Sequence, residues 1–158
     1  MSTLLAKVEN GVLILSASIM CLIAFLNVIS RYFFGNSLAF TEEITINLFV
    51  LLTFVGAAVG VREKAHLGFT LVFDKVNESL KKALVLFSGL IVIIVFALCA
   101  YYGAMMVQFQ MMTNQMTPAL GWSQWVFTIG FPAGCVLCVI RAIESMVKEL
   151  KILKTESD

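Results

Sequence analysis

The sequence predicts an all-α membrane protein of four transmembrane helices, with both termini on the cytoplasmic side. Three observations carry that prediction. Of 158 residues, 60% are apolar and 13% charged, and a soluble domain of this length could not cover so much apolar surface. Four stretches, 11–30, 44–61, 83–107 and 121–140, contain no charged residue. Each is long enough, at about 1.5 Å per residue, to cross a hydrocarbon core of about 30 Å. The basic residues decide orientation. Lys7, Arg62, Lys64, Lys75, Lys81, Lys82, Arg141, Lys148, Lys151 and Lys154 fall on the side that carries the termini, and Arg31 alone falls on the other.

The first run, 11–30, holds eleven Leu, Ile, Phe or Val residues. Lys7 ahead of it resembles the start of a secretory signal. The run exceeds a signal's short apolar core, however, and Arg31, Tyr32, Phe33 and Phe34 follow where a small-residue cleavage site would stand. It reads as a retained anchor. The second run, 44–61, also has eleven such residues, contributing about −3 to −7 kcal/mol of insertion free energy at roughly −0.3 to −0.6 each. The third, 83–107, has thirteen; the fourth, 121–140, has eight and contains Pro132, with Trp122 and Trp125 as interfacial anchors at its start.

Between runs two and three, Phe69, Val72, Phe73, Val76, Leu80 and Leu84 recur at helical spacing, with Asp74, Lys75, Glu78, Lys81 and Lys82 on the other face. That pattern predicts an amphipathic interfacial helix over about 69–82, after a break at Gly68; an extension of the third span is the alternative. After run four, 141–154 continues the last helix into water, with Glu144 and Lys148 as an i,i+4 pair. The whole chain, 1–158, reads as one domain.

No ionisable residue lies well inside any of the four runs, whereas ion-driven carriers and proton relays place such groups at membrane depth. Glu9 sits at the boundary. His66 is the single histidine, so Cys135 and Cys138 lack the further ligands of a zinc site, and paired haem ligands are missing. Met105, Met106, Met111, Met112 and Met116 suit monovalent copper by softness, but methionine also fills gaps in apolar packing, the preferred reading. A net charge of +1 draws in no nucleic acid. The chain reads as neither an enzyme nor a pump on its own. Gly56 and Gly60 in run two, Gly130 and Gly134 in run four, and Ala100, Gly103 and Ala104 in run three form small-residue faces that let helix backbones approach closely, within this chain or against a partner.

The segment from Asn27 to Glu43 is the most distinctive. Asn27 stands one helical turn before Arg31. Thr41 is placed to cap the second span, and Glu42 and Glu43 suit its positive end. The same charges could instead form an ion-pair cluster at the outer surface. This stretch resembles the small, DctQ-type membrane subunit of TRAP transporters, the tripartite ATP-independent periplasmic carriers. The similarity runs from Asn27, Arg31-Tyr32 and Phe40-Thr41-Glu42-Glu43 through Leu48-Phe49-Val50 and Gly56-Ala57-Ala58 to Val61-Arg62-Glu63-Lys64-Ala65-His66-Leu67-Gly68. A weaker match follows at Thr117-Pro118-Ala119-Leu120-Gly121 and Pro132.

The resemblance implies a multi-pass protein of the bacterial inner membrane. Its partners would be a large sodium-binding permease subunit, a periplasmic substrate-binding protein and lipid, in the uptake of an organic acid such as a dicarboxylate, a sugar acid or sialic acid. It implies a scaffold that holds no cofactor of its own, with sodium on the large subunit. Arg31, Glu42, Glu43, Gly56 and Gly60 are the residues expected to meet partners. The alternative is a tetraspan assembly subunit of another membrane complex.

Overall fold

A computed structural model describes residues 2–36, 38–62 and 78–155. They form four long helices and one short one: α1 (Ser2–Phe34), α2 (Ala39–Arg62), α3 (Glu78–Met112), α4 (Gln124–Thr128) and α5 (Gly130–Thr155). Four helical segments, Leu5–Phe34, Ala39–Arg62, Leu80–Met112 and Gln124–Lys151, are long and apolar enough to cross a membrane. No strand forms among the described residues, only an isolated antiparallel bridge between Met116 and Ser123. Of the expected interfacial helix, 69–77 lies outside the described residues, and 78–82 is the first turn of α3.

Local chemistry explains the helix ends. Gly35, at φ +69°, stops α1 in a conformation that costs other residues energy. Asn27 Oδ1 then accepts the Leu38 N–H at 3.0 Å, and Ser30 Oγ donates to Asn36 O at 2.9 Å. Thr41 does not cap α2 as expected. The helix starts two residues earlier because Asn27 already satisfies Leu38, and the buried Thr41 hydroxyl donates to Leu38 O at 2.6 Å from within the first turn. At the end of α3, Asn114 takes φ 47°, its N–H bonds Met111 O, and Gln115 N–H bonds Gln110 O. That is a Schellman ending with asparagine in the left-handed position. The fourth apolar run is not one continuous helix. Its first residues form a loop, and the helix beyond it lacks one ladder bond at Ile129, because Pro132 has no N–H to give Thr128 O, while Ile129 itself stays helical.

Packing at glycines sets the register. A Cβ placed on Gly103 would lie 2.8 Å from the Phe131 ring, and one on Gly89 would lie 3.0 Å from Met146 Sδ, so α3 and α5 run antiparallel. Gly130 faces Leu51 and Gly134 faces Phe54, so α2 and α5 run parallel, with Cys138 Sγ donating to Phe54 O at 3.3 Å. Gly56 meets Leu13 and Arg62 meets Glu9, so α1 and α2 are antiparallel. Helix seams therefore run α1–α2–α5–α3, while α1 and α3 hardly touch. The result is an open row rather than a closed bundle. Both termini lie at one end of it. The buried residues Val55, Ala58, Cys135, Cys138 and Ala142 sit on α2 and α5, the middle pair. The edge helices leave Leu22, Phe25, Phe87, Leu90 and Tyr102 exposed.

Candidate functional site

The end of the row that carries both termini holds a cluster of charges drawn from three helices. Glu9, near the start of α1, is 2% exposed, and Arg141, twelve residues into α5, is 1% exposed. Arg141 grips the carboxylate side-on, with Nε 2.7 Å from Oε1 and Nη2 2.9 Å from Oε2. Arg62, the last residue of α2, adds Nη1 at 2.9 Å from Oε2, and its Nη2 lies 3.3 Å from Asn10 Oδ1. Arg141 Nη1 also reaches Glu144 Oε2 at 2.6 Å, and Lys148 Nζ reaches Glu144 Oε1 at 2.9 Å. The expected Glu144–Lys148 pair is thus the exposed tail of a longer chain: Arg62, Glu9, Arg141, Glu144, Lys148.

The pairings of Gly89 with Met146 and Gly103 with Phe131 and Pro132 place Arg141 level with Ile94. Ile94 is the middle of the α3 apolar run, about 18 Å along the helix from Lys82. Measured on α3, the Arg141–Glu9 pair is level with the middle of that helix's apolar run, whereas on α1, α2 and α5 it stands just outside the apolar runs. Buried charges are tolerated when they neutralise and hydrogen-bond one another. Both oxygens of Glu9 are occupied, in the bidentate geometry that makes arginine–carboxylate contacts strong. The arrangement ties helices together. Among the described residues no group of three or more histidine, cysteine or acidic side chains is placed to hold a metal.

Sequence reasoning passed over this cluster, although a signal was present. Glu9 lies just before run one, Arg62 just after run two and Arg141 just after run four, all on one side by the charge count. What it could not supply was the level against α3, because that depends on the offset of α3 against α5.

The opposite end holds the residues expected to face partners. Glu43 is committed internally: Oε1 accepts the Ala119 N–H at 2.7 Å and Oε2 the Leu120 N–H at 3.1 Å. It holds the loop after α3, which is further braced by Thr117 N–H to Trp122 O at 2.7 Å, Gln124 N–H to Gln115 O at 2.9 Å and Trp122 N–H to Thr117 Oγ1 at 3.1 Å. Glu42 and Arg31 are exposed, and the structure does not join them to Glu43 in an ion pair among the described residues. The small-residue faces also part company. Gly103 of α3 and Gly130 and Gly134 of α5 are spent on internal seams, while Ala104 of α3 is exposed. On α2, a Cβ at Gly56 would make an ordinary 3.9 Å contact with Leu13, and one at Gly60 would meet nothing within 4 Å.

Comparison with known proteins places this architecture. The family model described as the DctQ component of tripartite ATP-independent periplasmic transporters matches residues 20–152. The chain is 27% identical over 148 residues to the ectoine TRAP transporter small permease protein of Halomonas elongata, covering 94% of this chain and 77% of that one. It is 30% identical over 138 residues to a putative TRAP transporter small permease protein of Haemophilus influenzae, covering 87% and 82%. With the sialic acid TRAP transporter small permease protein of Vibrio cholerae it shares 25% over 124 residues, 78% of this chain and 70% of that one. Four membrane-crossing helices and a match over most of the chain make the conclusion plain: this protein belongs to the DctQ family, the small membrane component of TRAP transporters.

Proposed function

We propose that this chain is the static scaffold of its transporter: it widens the wall against which a large, sodium-driven permease subunit moves. It also offers part of the docking surface for a periplasmic substrate-binding protein in organic-acid uptake. The observation that carries this reading is the open row α1–α2–α5–α3. Four helices in line enclose no pathway for a solute, and the buried charges satisfy one another rather than face a passage. The broad apolar sides of the row suit lipid on one face and a larger membrane protein on the other. Glycine at position 60, with open space before it, suits close approach by a partner helix. Arg31 and Glu42, exposed at the rim opposite the termini, suit contact with a soluble protein; Glu43 would act beneath them by fixing the loop. The charge count supports termini in the cytoplasm, and the family supports a bacterial inner membrane. Relatives are named for ectoine, sialic acid and C4-dicarboxylate, and on this reading the choice of solute is made by the other subunits.

Reconstitution tests this. In liposomes with a sodium gradient, the chain alone moves no organic acid, whereas addition of its large subunit and binding protein restores uptake. Sodium-dependent uptake by the chain alone would overturn the scaffold reading.

A further inference from the structure

We propose that Glu9 is a positioning residue that locks the first span to the last, through a carboxylate that α1 shares with Arg141 of α5 and Arg62 of α2. The α1–α2 seam is less tightly interlocked at its glycine than the α2–α5 seam. At the α2–α5 seam, a Cβ on Gly134 would come within 2.5 Å of Phe54 Cβ, and one on Gly130 within 3.3 Å of Leu51. At the α1–α2 seam a Cβ on Gly56 would make only an ordinary 3.9 Å contact with Leu13. Lipid supplies no hydrophobic drive to close a loose seam, because an apolar side chain fares as well against acyl chains as against a neighbouring helix. Consistently, Ile14, Leu15, Leu22, Phe25 and Leu26 of α1 are exposed.

Polar ties must then hold α1. At the far end, the bonds of Asn27 and Ser30 close the α1–α2 hairpin onto its own connection. Glu9 does something different. It carries α1 past α2 to Arg141, 132 positions away in sequence, through two short bonds at a site nearly without water. Arg62 joins from between them. The pair is buried, so its strength is weakly screened, and a lone Arg141 there would be strongly disfavoured. A second consequence concerns order of assembly. Glu9 and Arg62 belong to the first hairpin, but the side-on partner arrives only with the last span, so the network closes when the chain is complete.

Cross-linking in native membranes tests this on the full chain. In a background without the four native cysteines, Leu13→Cys with Gly56→Cys reports the α1–α2 seam, read with a short bifunctional thiol reagent. Gly89→Cys with Met146→Cys reports the α3–α5 seam as a control, since the two Cβ atoms there would stand about 3.5 Å apart. With Glu9→Gln, cross-linking of 13 to 56 is expected to fall by about tenfold or more, with 89 to 146 unchanged. Unchanged 13–56 cross-linking would overturn the lock, and so would equal loss at both seams, which would mean a general failure to fold. Glu9→Gln combined with Arg141→Gln removes the unpaired charge as well. The lock predicts that 13–56 cross-linking stays low there, and full recovery would show that Arg141 repulsion, rather than loss of the tie, displaced α1.

Discussion

A hydrogen is all that position 134 can carry. With a Cβ at 2.5 Å from Phe54 Cβ and 3.6 Å from its backbone, Gly134→Ala forces α2 and α5 apart and costs about 1–3 kcal/mol, lowering the thermal unfolding midpoint in mild detergent. Gly60→Ala, with nothing within 4 Å, leaves that midpoint unchanged or slightly raised, since alanine favours helix by about 1 kcal/mol. The two neighbouring glutamates separate in the same way. Glu43→Gln has one carbonyl oxygen where two amides need acceptors, and losing a charge-assisted pair costs about 1–3 kcal/mol. Hydrogen exchange at Ala119 and Leu120 should therefore speed up. Glu42→Gln should leave that exchange untouched. If Glu42 docks the binding protein, its reversal to lysine slows transport at low binding-protein concentration and alters salt sensitivity; unchanged transport across concentration and salt would make it a helix-end charge only.

Each helix divides its surface differently, and that decides which faces remain for a partner. The small-residue face of α5 is consumed by α2, and Gly103 of α3 by Phe131, whose ring also meets Phe54 edge-on at 4.7 Å between centroids. The Gly60 side of α2 is unused. Gly60→Leu is therefore expected to reduce co-purification of the large subunit about 5- to 150-fold, from ~1–3 kcal/mol of overpacking at ~1.4 kcal/mol per decade, while this chain still inserts and folds. Gly130→Leu, by contrast, strikes Leu51 within the chain and should lower its own stability. Full recovery of the large subunit with Gly60→Leu would move the interface to α1 or α3.

The whole molecule is a membrane layer whose helices do not share one apolar level. α3 is 35 residues long, about 52 Å, and its apolar middle is level with the Arg141–Glu9 pair, which lies at the end of α2 and just past the apolar run of α5. Its lower half, with Leu80, Phe87 and Leu90 exposed, runs beside about the last four turns of α5 and beyond the end of α2. Orientation across the bilayer follows from charge and is tested by labelling. Single cysteines replacing Asn36 and Ala119 should react with an impermeant thiol reagent in intact cells, and one replacing Lys148 only after the membrane is opened. External labelling at 148 would reverse the proposed orientation.

The four apolar runs, the family pattern at Asn27–Glu43 and the inward bias of lysine and arginine are all readable along the chain, because insertion free energy and charge bias add up residue by residue whatever the helices later touch. Even the missing ladder bond at Ile129 is latent in Pro132. Which glycines pack inside, which glutamate holds a loop, and where Arg141 lies against α3 are not additive in that sense. They depend on α2 running parallel to α5 and on a particular axial offset of α3, and neither follows from any one segment. Gly56 and Gly60, and Gly130 and Gly134, are alike as motifs; only the tertiary arrangement, by bringing Leu51 and Phe54 against one pair and almost nothing against the other, made one a seam and left the other open. Glu9 and Arg141 became a buried pair for the same reason: two charges at the ends of separate apolar runs are boundary residues until the fold brings their side-chain atoms within 3 Å of each other.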